Sequence, residues 1–169
     1  MKFSEFSKQV KNGDLICVSH QPWGSWDDVQ SHIVRIVCES EYSHVAVAMV
    51  SGAGEPHVLE AVVPCVTLSP LTKYLEFGFY WIATPDKPMS EDEQVYGFSK
   101  TGEQYSKLEA IAGQLNWLDV AQDRRWQCSE LTVAMRRLSG LDLGPKCTPA
   151  AVVRKALGYG YTLTYVSKD

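Results

Sequence analysis

The sequence predicts an α+β domain in which helices pack against one antiparallel sheet. Short runs rich in β-branched and aromatic residues cluster in the first half of the chain, at 15–19, 44–50, 57–63 and 79–83. Helical spacing of apolar residues dominates after Ser90. Strands early and helices late make segregated layers, not the alternation of a parallel α/β sheet. A chain of 169 residues with 45% hydrophobic content fits a single domain with a real core.

Each element has its own local signal. Asn12-Gly13-Asp14 is a turn, and the buried strand 15–19 follows it. Ser25 caps a helix over 26–39, with Asp27 and Asp28 in its first turn and Trp26, Val29, Ile33, Ile36 and Val37 at helical spacing. The dense apolar run 44–50 is a strand. Gly52-Ala53-Gly54 turns the chain into the strand 57–63, so the two form a hairpin. Ser69-Pro70 opens a short helix, serine as cap and proline at its first position. The run 79–83 is a further strand. Ser90 and Glu93 have capping-box spacing ahead of a helix over 91–101. Residues 107–115 are helical. So are 129–138, with Leu131, Ala134, Met135 and Leu138 on one face. Thr148-Pro149 caps a last helix ending at Gly158, and 161–166 alternates as a closing strand.

Composition excludes several functions. A net charge of -4 without a basic block leaves no electrostatic footprint for nucleic acid. The N-terminal stretch has no apolar core and no small-residue cleavage site, so no signal peptide is expected and the cytoplasm is the expected compartment. No apolar run reaches the ~18 residues that a transmembrane helix needs. The five cysteines (Cys17, Cys38, Cys65, Cys128, Cys147) are odd in number and scattered, which suits reduced thiols. Without Cys-x-x-Cys or His-x-x-x-His, no metal site is expected, and no organic cofactor is implied.

Three places can carry chemistry. Gln127-Cys128-Ser129-Glu130-Leu131 opens an amphipathic helix. A thiol there faces unpaired N–H groups and the positive end of the helix dipole, both of which favour the nucleophilic thiolate. The same N–H groups can hold an oxyanion, and Arg124 and Arg125 just upstream add positive potential. His44, at the mouth of a strand, is the candidate base. Glu60 is a carboxylate inside an apolar strand, where a lone charge is costly, and pairing with His44 explains its presence. Each taken alone has a plainer reading, as a small buried hydrophobe, a structural histidine or strand-edge polarity. Cys17 and Cys65 sit in strand contexts, Cys38 closes a helix and Cys147 lies in a loop. His20, His32 and His57 belong to no motif.

The order of these pieces resembles the YiiX-like, circularly permuted relatives of the NlpC-type cell-wall peptidases, within the papain-like superfamily. Gly13-Asp14-Leu15-Ile16 resembles the family's opening strand, and Glu41-Tyr42-Ser43-His44-Val45 its histidine motif. Leu59-Glu60-Ala61-Val62, followed by Leu68-Ser69-Pro70-Leu71, resembles its Glu-Ala strand. Gln127-Cys128-Ser129-Glu130-Leu131 resembles its nucleophile helix. The matches span residues 13–138. The resemblance implies a permuted papain-like fold in which the histidine precedes the cysteine. It makes Cys128 the nucleophile, His44 the base and Glu60 the residue that orients His44. It also implies amide hydrolysis through an acyl-enzyme, on peptide or isopeptide bonds such as those of bacterial cell wall (peptidoglycan), or on fatty-acyl amides and esters. With no export signal, a phage-encoded protein or delivery by another route fits such a substrate. The chain departs from the family at Gly102-Glu103-Gln104-Tyr105-Ser106, which lacks a proline and an aspartate, and at Gln127, where the family has tyrosine. Glu130, one turn into the helix, is expected to make a structural hydrogen bond.

Two other functions fit parts of the same pattern. Lecithin-retinol acyltransferase-like proteins, which act on acyl lipids, share the order of histidine before cysteine. They use a second histidine where this chain has Glu60, and often carry a membrane anchor. Trp23, Trp26, Trp117 and Trp126 could line an apolar groove for such a substrate or belong to the core. A non-catalytic binding module on the same fold is the third reading, and an intact Cys, His and Glu set argues against it.

Overall fold

The computed structural model describes residues 1–19, 42–105, 126–144 and 148–169. It is an α+β structure built on a six-stranded antiparallel sheet. In chain order the elements are α1 (Phe3–Phe6), β1 (Leu15–Val18), β2 (His44–Val50), β3 (Pro56–Ala61), β4 (Val66–Pro70), a 3-10 turn (Leu71–Tyr74), β5 (Phe79–Ile82), α2 (Glu91–Ser99), α3 (Cys128–Leu138), α4 (Pro149–Gly158) and β6 (Leu163–Val166). The strands lie in the order β4-β3-β2-β1-β5-β6. The helices expected over 26–39 and 107–115 fall outside the described residues.

Both faces of the sheet are covered, which is why β1 is buried along its whole length. Ile16, Val18, Ala46, Ala48 and Val58 point to one face, against Phe6, Leu71 and Tyr74. Leu15, Cys17 and Val45 point to the other, with Val133, Val152 and Ala156. Val47 and Leu59 share that second face with Leu131 and Met135. The strand period of two therefore assigns α3 and α4 to one side, and α1 and the 3-10 turn to the other.

The hairpin between β2 and β3 closes through Ser51 and Glu55, with Gly54 at φ +81°. Its ladder runs from Val50↔Pro56 only as far as Val47↔Leu59. Beyond that point both strands continue, but β2 stays with β1 (Val18↔His44) and β3 stays with β4 (Ala61↔Val66). The sheet is thus split between β2 and β3 at the end where His44 and Glu60 lie.

Two expected elements differ. Ser69 and Pro70 do not open a helix. They end the edge strand β4, opposite Val58 and His57, and the 3-10 turn starts at Leu71. An edge strand tolerates proline because one side of its backbone has no ladder to donate to. The apolar face expected on the helix over 129–138 is also shifted. Leu138 is 49% exposed while Thr132, Val133 and Arg136 are buried. That helix is wedged between the sheet, α2 and α4, so its buried arc is wider than one stripe.

Gly13-Asp14 anchors the sheet end. Asp14 is buried and accepts from the Trp81 indole at 2.9 Å, from Thr84 N–H at 2.9 Å and from Lys11 N–H at 3.0 Å. Gly13 has φ +95°, and a Cβ there would stand 2.6 Å from Arg136 Nη1. Arg136, fully buried, donates to both Glu93 oxygens at 2.9 Å and to Thr84 Oγ1 at 3.1 Å. Glu93 therefore does not close the expected capping box. Its N–H donates to Ser90 Oγ at 3.1 Å, but its carboxylate turns inward to Arg136.

Candidate active site

Cys128 is the first residue of α3. Gln127 ahead of it is extended (φ -96°, ψ 157°) and forms a reciprocal capping box with Glu130, whose Oε2 accepts from Gln127 N–H at 3.2 Å. That is the structural hydrogen bond expected of Glu130. The approach to the helix is pinned by a bridge between Tyr105 and Trp126, with Trp126 N–H donating to Gln104 O at 2.9 Å. The Trp126 indole donates to Glu103. These contacts fix where the helix starts, and so where the sulfur lies.

His44 and Glu60 come from the split end of the sheet. His44 heads β2, and Glu60 lies one residue before the end of β3. Both point to the face opposite α3, as alternation with Ala46 and Val58 requires. His44 Nε2 meets Glu60 Oε2 at 2.8 Å. His44 also lies close enough to Cys128 for each to favour the other's charged form. Since Nε2 is taken by Glu60, the nitrogen left for the sulfur is Nδ1. The helix on one face and the histidine on the other meet through the gap between β2 and β3.

The gap exposes a backbone donor as well. Ala48 N–H donates to Asp14 O, and Ala48 O accepts from Gly13 N–H, so even-numbered residues of β2 bond to β1 and odd ones face β3. Val45 N–H faces β3 where the ladder has ended, and it and Ser129 N–H lie close enough to Cys128 to favour its thiolate. The sulfur is thus met by a histidine and two backbone N–H groups.

These partners set the charge states. Burial opposes ionisation of Cys128, but the His44 imidazolium and the two N–H groups outweigh it and lower the thiol from its ordinary value. Burial likewise opposes charge on His44. The Cys128 thiolate and then the Glu60 carboxylate overcome this and push the imidazole up to about 10. Glu60, fully buried, would by burial alone be neutral; His44 and Lys73 instead hold it down at about 2. All three groups are thus shifted toward their charged forms: thiolate, imidazolium and carboxylate. Cys17 and Tyr105, which border it, are both raised, by burial first and then by the Cys128 charge.

The structure brings Cys128, His44 and Glu60 together. The sequence did not mark Lys73 and Tyr74, which come from the 3-10 turn. Lys73 Nζ donates to Glu60 Oε1, and the Tyr74 hydroxyl donates to Oε2, the oxygen that also meets His44. They stand just after Leu68-Ser69-Pro70-Leu71, but nothing in a Lys-Tyr dipeptide announces a carboxylate partner. Of the other candidates, Cys17 is buried in β1, Cys65 is half-buried beside Gln104, and the His57 ring meets the Glu55 carbonyl at 3.0 Å. Cys38, Cys147, His20, His32, Arg124, Arg125, Trp23, Trp26 and Trp117 lie outside the described residues. Among the described residues, no group of three or more His, Cys, Asp or Glu side chains is placed to hold a metal ion. Among them, too, no helix is long and apolar enough to cross a membrane.

No protein-family model matches the chain, and no curated protein matches it in sequence.

Proposed function

We propose that the protein is a cysteine hydrolase of the permuted papain-like type, with Cys128 as nucleophile, His44 as general base and acid, and Glu60 orienting the imidazole. The observation that carries this reading is a single one. A cysteine at the start of an eleven-residue helix is paired with a histidine whose other nitrogen is 2.8 Å from a buried carboxylate.

The chemistry follows from the charges. His44 Nδ1 holds the proton that Cys128 has given up, so the sulfur is ready to attack a carbonyl carbon. The carbonyl oxygen becomes an oxyanion beside Cys128 N–H, a donor at the head of α3 that the helix itself cannot satisfy. As the tetrahedral intermediate collapses, His44 gives its proton to the leaving amine and an acyl-thioester remains on Cys128. Water, deprotonated by His44, attacks the thioester; the acid leaves and the thiolate–imidazolium pair is restored. Glu60 keeps Nδ1 aimed at the sulfur throughout by holding Nε2–H. The substrate class we propose is the peptide or isopeptide bond, as in bacterial cell wall, which is what the motif resemblance implies.

The test is hydrolysis of soluble peptidoglycan fragments and peptide amides, followed by mass spectrometry, in wild type, Cys128→Ala and His44→Ala. Cleavage that disappears in both variants, together with a trapped acyl adduct on the Cys128 peptide, is the expected result. Cleavage that survives Cys128→Ala would refute the assignment.

A further inference from the structure

A buried carboxylate needs a reason to stay ionised, and His44 supplies only part of one. The described groups around the row are few. Glu60 faces His44 from β2, and Lys73 and Tyr74 from the 3-10 turn; its partner on β4 is Thr67, which does not titrate. His44 faces Glu60, Cys128 and the Tyr74 ring, 6.1 Å between centroids. Cys128 faces His44, Cys17, Tyr74 and Tyr105, and Tyr105 also feels Glu130. Without Lys73, the thiolate, imidazolium and carboxylate sum to one buried negative charge. With Lys73 the row reads plus, minus, plus, minus from solvent to sulfur and is neutral. When His44 gives its proton to a leaving group and the sulfur is acylated, Lys73 and Glu60 remain as a neutral pair. The balance therefore holds on both sides of the chemical step.

Resting on the hydrolase reading above, we propose that Lys73 and Tyr74 are positioning residues for the triad. Lys73 is the counter-charge that keeps Glu60 ionised, and Tyr74 is the donor that fixes which way Glu60 faces. The shapes of the two suit this division. Lys73 is 35% exposed, so its charge is solvated at one end and its ammonium adds no buried cation. Tyr74 is buried, and its hydroxyl shares Glu60 Oε2 with His44, so the carboxylate cannot rotate away without orphaning a phenol. The hydrogen bonds of both go to Glu60, although the Tyr74 phenol also feels the Cys128 charge. They act through Glu60 on His44.

The sign of the effect is fixed by charge. Removing the Lys73 cation makes the row more negative, which disfavours the thiolate and lets Glu60 take up a proton at a higher pH. Both changes move the acid limb of Cys128 reactivity upward. The experiment is the rate of Cys128 alkylation by iodoacetamide from pH 4 to 9, read by peptide mass mapping with half-buried Cys65 as internal reference. It is run on wild type, Lys73→Met, Lys73→Arg, Tyr74→Phe and His44→Ala. Lys73→Met should raise the limb by about one pH unit, which is roughly a tenfold loss of rate below it. Lys73→Arg should restore it, and Tyr74→Phe should raise it by about half a unit. Lys73→Gln replaces the methionine variant if that one folds poorly. A fast wild-type Cys128 whose limb is unmoved by loss of Lys73, or is not restored by arginine, overturns the positioning role and leaves the triad standing. A wild-type Cys128 no faster than Cys65, with no change in His44→Ala, overturns the triad and the positioning role together.

Discussion

Replacing Arg136 by methionine should be among the most damaging single changes outside the candidate site. Arg136 and Glu93 are both fully buried, joined by two contacts of 2.9 Å. The guanidinium also serves Thr84 Oγ1 at 3.1 Å and the Lys87 carbonyl. Methionine fills much of the volume but leaves a buried carboxylate without its cation. Breaking such a pair from one side costs about 3–5 kcal/mol. The lower end applies here, because Glu93 keeps the Ser139 hydroxyl as a donor. For a domain of this size, about 3 kcal/mol lowers Tm by roughly 6–12 °C. The pH dependence gives a second handle. Burial already holds the Glu93 carboxyl above its ordinary value despite Arg136, and without Arg136 it rises further. A carboxyl raised in the folded state loses stability as pH climbs from its unfolded value through the folded one. The deficit should therefore be larger at pH 7 than at pH 5. Urea and thermal unfolding at both pH values measure it, and adding Glu93→Leu should recover at least half. A deficit below about 1 kcal/mol at pH 7, or no recovery in the double variant, would refute the account.

Two further outcomes follow from the same geometry. His44 should remain an imidazolium at neutral pH and titrate near 10, as seen in the ring nitrogen shifts by NMR. Its stabilising contribution is complete below the ordinary histidine value and is lost as pH rises toward 10. In Cys128→Ser the titration should fall by more than about one unit, because the largest favourable partner is gone; an unchanged value would deny the ion pair. Gly13→Ala should cost about 1–3 kcal/mol in urea unfolding, since φ is +95° and the new methyl would meet Arg136 Nη1 at 2.6 Å. The loss should shrink when Arg136→Met is already present, and strict additivity would argue against that clash.

The parts of the fold that were legible in the sequence are those decided locally. Thr148 accepts from Ala151 N–H at 3.1 Å and Pro149 opens α4, as the cap signal says. The run 44–50 is β2, and the glycine turn after it makes the hairpin. What was not legible depends on distant partners. β4 exists because β3 offers it an edge, and its exposed Leu68 breaks the apolar pattern that would have announced it. α1 is four residues long and holds its place through Phe6 packing on Phe79 and Trp81, which no local signal encodes. Ser-x-x-Glu is a local pattern that marks Glu93 for a capping box, whereas its actual partner Arg136 lies 43 residues away. The same division runs through the candidate site. Cys128, His44 and Glu60 stand in environments odd enough to be noticed in one sequence. Lys73 and Tyr74 reach Glu60 only because β3, β4 and the 3-10 turn fold back on one another.

The Val45 N–H in the gap between β2 and β3 is a donor that no side-chain replacement can delete. Short of proline at that position, every substitution leaves it in place, provided the two strands still part there. Part of the sulfur's setting is therefore written in chain geometry and not in residue identity. Residues around Cys128 can be exchanged while this backbone donor stays, because its place depends on where the two strands part and not on the side chains they carry.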